Sequence, residues 1–167
     1  MAIEKVREYL KAFHMDEKIL EFDVSSATVE LAAQALSCEP KRIAKTLSFQ
    51  AGEEAVLIVA AGDAKVDNHK FKENFHTKAK MLSPEDVELK IGHTIGGVCP
   101  FGINEGVKVY LDASLKRFQT VYPACGSANS AIELTLTELE TLSGEHFCGW
   151  IDACKGWEET GETDADA

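Results

Sequence analysis

Apolar positions along the chain change period several times, and each change marks an element. Ile3, Val6, Leu10 and Phe13 recur at helical spacing, which predicts an amphipathic helix over Ala2 to His14. Ile19, Leu20, Phe22 and Val24 fit a short strand, and Ser25 and Ser26 offer N-caps for a second helix whose Val29, Ala32, Ala33 and Leu36 share a face. Pro40 opens a single turn. Thr46 to Gln50 and Ala55 to Ala61 then read as two strands joined at Ala51-Gly52-Glu53-Glu54, the second nearly all apolar and therefore central. Asp67 caps a helix running to Phe75, Lys78 to Leu82 is extended, and Ser83-Pro84-Glu85-Asp86 combines an N-cap, an N1 proline and early acids. Val107 to Leu111, Phe118 to Tyr122 and Ile132 to Leu134 are further strands, and Thr135-Leu136-Thr137-Glu138 is a capping-box start for the last helix. Hairpins mixed with helix-linked strands predict an α/β (mixed α+β) domain with a mixed sheet, not a doubly wound parallel one.

Composition changes this picture little, because 167 residues with 45% hydrophobic and 27% charged side chains suit one ordinary globule. No run of eighteen apolar residues exists and Met1 to Leu20 is charged throughout, so the chain reads as cytosolic with no membrane partner. Five cysteines (Cys38, Cys99, Cys125, Cys148, Cys154) without a CxxC pair read as reduced thiols. His146, Cys148 and Cys154 match no compact zinc spacing, so neither a metal nor any other cofactor is expected.

Charge adds two features. The formal net charge is −11, and subtracting the five acids Glu158, Glu159, Glu162, Asp164 and Asp166 leaves −6 for the rest. Residues 1–155 are thus expected to be the folded domain and 156–167 an acidic, disordered tail. Ala64 to Lys80 is locally basic, with Lys65, Lys70, Lys72, Lys78 and Lys80 against Asp67 and Glu73. Such a strip is either a solvated helix face or a phosphate-binding surface for RNA.

The candidate chemistry lies in Gly96-Gly97-Val98-Cys99-Pro100-Phe101-Gly102, where glycines and a proline imply that something approaches the backbone closely and that amides are exposed as a rigid cradle. Phosphate-loop (GxxxxGK(S/T)), GxSxG, HExxH and GxGxxG motifs are all absent, which removes the usual support for nucleotide hydrolysis, serine esterase, zincin and dinucleotide readings. Lys45 stands where a helical turn passes into an apolar strand, either snorkelling at the surface or projecting from a rigid element. A second small-residue turn, Cys125-Gly126-Ser127-Ala128-Asn129-Ser130, enters Ala131-Ile132-Glu133-Leu134.

Four segments taken together, Ile43-Ala44-Lys45-Thr46-Leu47, Val56 to Ala60 with Gly62-Asp63, Gly96 to Gly102, and Gly126 to Leu134, resemble the YbaK/EbsC family over roughly Ser25 to Leu142. That family comprises free-standing aminoacyl-tRNA deacylases related to the editing domain of bacterial prolyl-tRNA synthetase. The resemblance implies a barrel-like mixed sheet flanked by helices and a pocket that removes a small amino acid wrongly esterified to proline tRNA. Aminoacyl-tRNA, with tRNA(Pro) foremost, is the implied partner, and prolyl-tRNA synthetase a second. Lys45 matches the family's lysine, and Gly96 to Pro100 its GxxxP loop. A third position, where some relatives carry aspartate or histidine, matches Ala131, which cannot ionise.

An aminoacyl ester is already activated, so catalysis needs a positioned water, a stabilised oxyanion and a fixed terminal ribose. Amides of Gly97, Val98 and Cys99 are expected at the oxyanion, with Lys45 on the terminal phosphate or the developing charge. Gly96, Pro100, Phe101, Gly126, Asn129 and Ser130 are expected to contact substrate. No protein base is assigned, because the substrate's own 2′-hydroxyl or amine can act on water. Two other readings stand beside this one: a non-catalytic module that binds aminoacyl-tRNA or a synthetase through the same pocket, and a thiol acyl-transfer enzyme requiring Cys99 as nucleophile.

Overall fold

A computed structural model describes residues 2–157. The chain opens with α1 (Ala2–Lys11), whose Val6 and Leu10 are fully buried. A short β1 (Leu20–Glu21) and α2 (Val29–Leu36) follow. β2 (Ile43–Ala51) and β3 (Glu54–Ala61) form a hairpin, and β4 (Lys65–Val66), α3 (Asn68–Phe75) and α4 (Pro84–Asp86) lead to a π-helical turn over Val87–Ile91. Beyond the glycine loop come β5 (Lys108–Asp112), β6 (Thr120–Pro123), β7 (Ser130–Ala131), β8 (Leu134–Thr135), α5 (Leu136–Ser143), β9 (Phe147–Ile151) and β10 (Cys154–Lys155).

Six strands make one mixed, curled half-barrel sheet in the order β8-β6-β2-β3-β5-β9. β2 pairs antiparallel with β3 and parallel with β6, while β5 lies parallel to both β3 and β9. β3 is apolar at nearly every position because both of its faces are covered. Leu57 and Val59 join the main core with Leu10 and with Leu139 and Leu142 of α5, whereas Val56 and Ile58 pack with Phe49 and Phe71 of α3. A strand buried on two faces loses the polar alternation of a half-exposed one. The mixed α/β sheet expected from sequence is the one observed.

Local corrections have local causes. α2 is capped by Thr28, whose Oγ1 accepts from the Leu31 amide, and not by Ser25 or Ser26. The strand expected over Ile19 to Val24 is reduced to two residues of β1, pairing with β7. Lys78 to Leu82 forms no strand and contributes a single bridge between Phe49 and Met81. β2 begins at Ile43, so Lys45 lies within the strand and not at its entrance. The strand expected over Ile132 to Leu134 does not form as such, since β7 ends at Ala131, β8 begins at Leu134 and Ile132 and Glu133 lie between them, and β9 was not foreseen because Gly149 interrupts its pattern at a register shift. The acidic tail lies, from residue 158 onward, outside the described residues.

The capping box at α5 is fully formed: Thr135 Oγ1 accepts from the Glu138 amide, and the Thr135 amide donates to the Glu138 carboxylate. Thr135→Ala removes one of these bonds and is expected to lower stability by about 1 kcal/mol, read as a shift in the urea midpoint with an unchanged slope. An unmoved midpoint would show that the cap contributes nothing here.

Candidate functional site

The site begins with the β2–β3 hairpin, where Lys45 stands opposite Ala60, one residue in from the end of the paired register. Its Nζ lies 3.4 Å from the Gly62 carbonyl oxygen, to which it donates. Gly62 is required by packing, because a Cβ there would meet the Pro40 carbonyl oxygen at 2.0 Å. The carbonyl that holds the lysine is thus fixed by a close backbone approach. Burial pulls the Lys45 pKa below the ordinary lysine value, and the Cys154 thiol and the Asp63 carboxyl oppose that fall. Asp63 is itself clamped by Arg117 through both guanidinium nitrogens, one at 3.0 Å.

Lys45 faces a cleft of about 330 Å³. The opposite wall is the glycine loop, through Gly96 and Val98, and the floor includes Ser130 and Ala131 of β7. Ser26 and Thr28, leading into α2, close one side, while the exposed side chains of Met81 and Ile95 stand at the rim. Two hydroxyls lining this cleft, Ser26 Oγ and Thr46 Oγ1, are buried with no hydrogen-bond partner. A buried unpaired hydroxyl typically costs about 1–3 kcal/mol, so two in one cleft mark a surface built to meet a polar ligand. No aspartate, glutamate or histidine lines the cleft among the described residues.

Of the site residues expected from sequence, the cleft brings together Lys45, Gly96, Val98 and Ser130. Gly97 does not line it. The Gly97 amide donates to the Thr94 carbonyl at 3.0 Å, and a Cβ on Gly97 would lie 2.5 Å from the Ser127 amide nitrogen. What approaches this glycine closely is the chain's own second small-residue turn, not a ligand. The two turns press together backbone to backbone and form a rigid wall. Gly126 belongs to this contact and is buried. Pro100 and Phe101 point into the protein, Phe101 as a fully buried member of the main core. Asn129 is exposed and ties the turn to the β1 segment by donating to the Phe22 carbonyl oxygen at 3.0 Å. Ser130 Oγ lies 2.7 Å from Ser127 Oγ, which donates to it. Ser26, Thr46, Met81 and Ile95 were missed, and only the adjacency of Thr46 to Lys45 could have flagged one of them.

Cys99 is fully buried, and burial pushes its thiol up to about 12. The neighbouring His93 is 1% exposed, with Nε2 2.8 Å from the Phe101 carbonyl oxygen and 3.5 Å from the Cys99 sulfur. Burial lowers the His93 pKa, so the ring is neutral and its Nε2–H donates to that carbonyl. Nε2 therefore cannot take the Cys99 proton. The pair is a core contact outside the cleft, and the nucleophilic reading of Cys99 lacks both a thiolate and access to substrate.

The basic strip is divided. Lys70 Nζ donates to Asp152 Oδ1 at 3.0 Å and to the Cys154 carbonyl oxygen at 2.9 Å. Lys80 sits beside Gln50 at the far end of β2, where its carbonyl accepts from the Gln50 amide, and Lys78 precedes it by two residues. Lys72 lies in the last turn of α3, exposed. Lys65 stands apart on β4, opposite Lys155 of β10.

Comparison with known proteins gives this arrangement its class. Residues 23–142 match the model of the aminoacyl-tRNA editing domain, and the chain belongs to that family. An uncharacterized protein of Bacillus subtilis (strain 168), YwhH, is 54% identical over 159 residues, spanning 95% of this chain and 100% of that protein. The proline–tRNA ligase of the same organism is 30% identical over 90 residues, or 53% of this chain and 16% of the ligase. The chain therefore corresponds to a small part of such ligases. A crystal structure of a candidate trans-editing enzyme for prolyl tRNA synthetase superposes with a TM-score of 0.81 at 29% identity, covering 93% of this chain and 98% of that one.

Burial orders the reactivity of the thiols. Cys148 is exposed, whereas Cys99, Cys125 and Cys154 are buried with raised pKa values. A colorimetric thiol reagent at neutral pH is expected to titrate Cys148 quickly and these three only on unfolding. Rapid modification of Cys99, mapped by mass spectrometry in the native protein, would restore it as a candidate nucleophile.

Proposed function

We propose that the protein is a free-standing deacylase that hydrolyses the ester of a small amino acid mischarged onto transfer RNA, with tRNA(Pro) the substrate the ligase likeness favours. The observation that carries this reading is the cleft itself. It sets one half-buried ammonium, two unpaired hydroxyls and Val98 of the glycine loop around a space of about 330 Å³ that carries no carboxylate or imidazole among its described lining residues. That volume lies at the small end of ligand pockets, which suits a short aminoacyl group on a terminal ribose.

The chemistry follows from what the cleft holds. Lys45 offers a positive charge, anchored by the Gly62 carbonyl, to the terminal phosphate or to the charge that develops on the ester oxygen. The Gly96 and Val98 amides donate to no backbone carbonyl among the described residues and are candidate main-chain donors for an oxyanion, whereas Gly97's is committed within its own turn. Ser26 and Thr46 hydroxyls supply donors or acceptors for the substrate's amine and ribose. With no carboxylate or imidazole among the described residues that line the cleft, the proton of the attacking water passes to a group on the substrate, its 2′-hydroxyl or its amine.

Lys45→Ala is expected to lower kcat/KM for mischarged tRNA by roughly a hundredfold or more, with the melting temperature held within a few degrees. A single-turnover deacylation assay measures this, and normal turnover in that variant would remove the role given to Lys45. Stoichiometric binding of mischarged tRNA by the native protein without hydrolysis would instead favour the non-catalytic module.

The pH dependence has a definite sign. Lys45 is charged at neutral pH and loses its proton below the pH at which a free lysine does, because burial lowers its pKa. Enzymatic turnover, corrected for spontaneous ester hydrolysis, is expected to fall on the alkaline side with a midpoint below 10.5, and Lys45→Arg to abolish that limb. A rate flat up to the free-lysine pKa would contradict the assignment.

A further inference from the structure

Lys65 and Lys155 face each other in the antiparallel register of the β4–β10 ribbon. Directly opposed residues share a face of such a pair, and like charges there destabilise it. The other pair of the ribbon, Val66 with Cys154, takes the inner face: Cys154 is fully buried and Val66 packs on the core. Both lysines are exposed on the outer face, and neither carries an ion pair among the described residues. Asp67 is the acid that Lys155 influences, but its carboxylate already accepts from the His69 and Lys70 amides.

The ribbon is held firmly. Lys70 bonds the Cys154 carbonyl, and the Asp67 amide donates to the Ala153 carbonyl at 2.8 Å. It also adjoins the candidate site, since β4 begins at Lys65, three residues after Gly62, whose carbonyl accepts from Lys45 at 3.4 Å. A short stretch of chain, Gly62 to Lys65, thus links the carbonyl that holds Lys45 to the outer face of the ribbon. An anion set between the two opposed lysines converts their repulsion into two charge-assisted contacts.

We infer that the Lys65–Lys155 pair docks a backbone phosphate of the single-stranded 3′ end of the nucleic-acid substrate, leading the esterified terminal nucleotide to Lys45. This rests on the deacylase reading above for the identity of the strand. It replaces a long basic strip with a two-residue contact, one member of which lies ninety residues away in sequence.

The test uses the full chain with Lys65→Gln and Lys155→Gln combined, and uncharged tRNA(Pro) as the probe. Each phosphate neutralised on a single strand adds about 0.7 to the slope of log affinity against log salt, so the double variant, which loses the dock for one phosphate, is expected to lose about 0.7 from that slope and roughly tenfold in affinity at low salt. Its melting temperature is not expected to fall, because a like-charge pair has been removed, and Lys65→Arg with Lys155→Arg is expected to restore binding. Lys78→Gln with Lys80→Gln, at the far end of β2, is expected to leave the slope unchanged. Hydrolysis of a 3′-aminoacyl-adenosine, which has no bridging phosphate, is expected to be equal in the native and double-Gln proteins, while KM for mischarged tRNA rises. An unchanged salt slope, equal losses on both esters, or no salt-dependent tRNA binding by the native protein would overturn the docking assignment. Failure of the native protein to hydrolyse either ester, with tRNA binding still dependent on the lysine pair, would overturn the deacylase reading and leave the docking point standing.

Discussion

The contact on which this architecture depends is backbone against backbone, Gly97 on the Gly126–Ser127 peptide. A side chain on Gly97 would overlap that peptide, with its Cβ 2.5 to 2.8 Å from three main-chain atoms. Because the two turns close on each other, Gly96 and Val98 are presented on one side of the wall while Cys99 and Phe101 are buried within the protein. A loop held by steric exclusion reorganises little when charge develops in front of it, which is what a preorganised donor requires. The same contact places Ser130, three residues beyond Ser127 and bonded to it, on the floor of the cleft. One glycine thus sets the position of two separate stretches of lining.

Across the cleft the design is different, because the lysine is held through a chain of polar contacts. Arg117 grips Asp63, Asp63 follows Gly62, and the Gly62 carbonyl accepts from Lys45. Arg117 also lies over the rings of Phe118 and Trp157, at 4.7 and 5.2 Å from their centroids, which fixes the guanidinium against apolar surface. The Asp63–Arg117 pair satisfies itself and leaves the Lys45 ammonium with one long bond, so that charge remains available to a ligand. Polar groups elsewhere in the protein are mostly paired, whereas Ser26 and Thr46 are buried unpaired within this one cleft. Local rules broken together at one place are the mark of a functional surface.

Much of the fold was legible because apolar period and capping chemistry are local. The central β3, the Asp67 cap of α3, the Ser83–Pro84 start and the Thr135–Glu138 box could each be read from a few adjacent residues. The candidate site was legible only in part. Lys45 and the glycine loop stood out by composition, but whether a glycine serves a ligand or a neighbouring turn depends on what lies opposite it, and that is a long-range fact. Phe101 and Cys99 carried the right company in sequence and the wrong direction in space. Ser26 looked like a helix cap because serine is good at capping, yet Thr28 took that place and left Ser26 to the cleft. The basic strip is a related case: its lysines are distributed over α3, the following loop and β4, while the residue opposite Lys65 comes from β10.

The sign of the whole molecule's charge then sets a limit on how it can meet a nucleic acid. At −11 the chain repels a polyanion at long range, yet at physiological salt the Debye length is only about 8 Å, so distant acids are screened while contacts at bonding distance are not. Recognition under these conditions has to rest on a few close cations held in place and not on a diffuse field. Lys45, restrained by a carbonyl within a strand, and Lys65 and Lys155, restrained on a ribbon tied down by Lys70, meet that requirement. On the deacylase reading proposed above, a repulsive surround also shortens nonspecific encounters and leaves selection among RNA ends to the cleft, through its small volume and two unpaired hydroxyls.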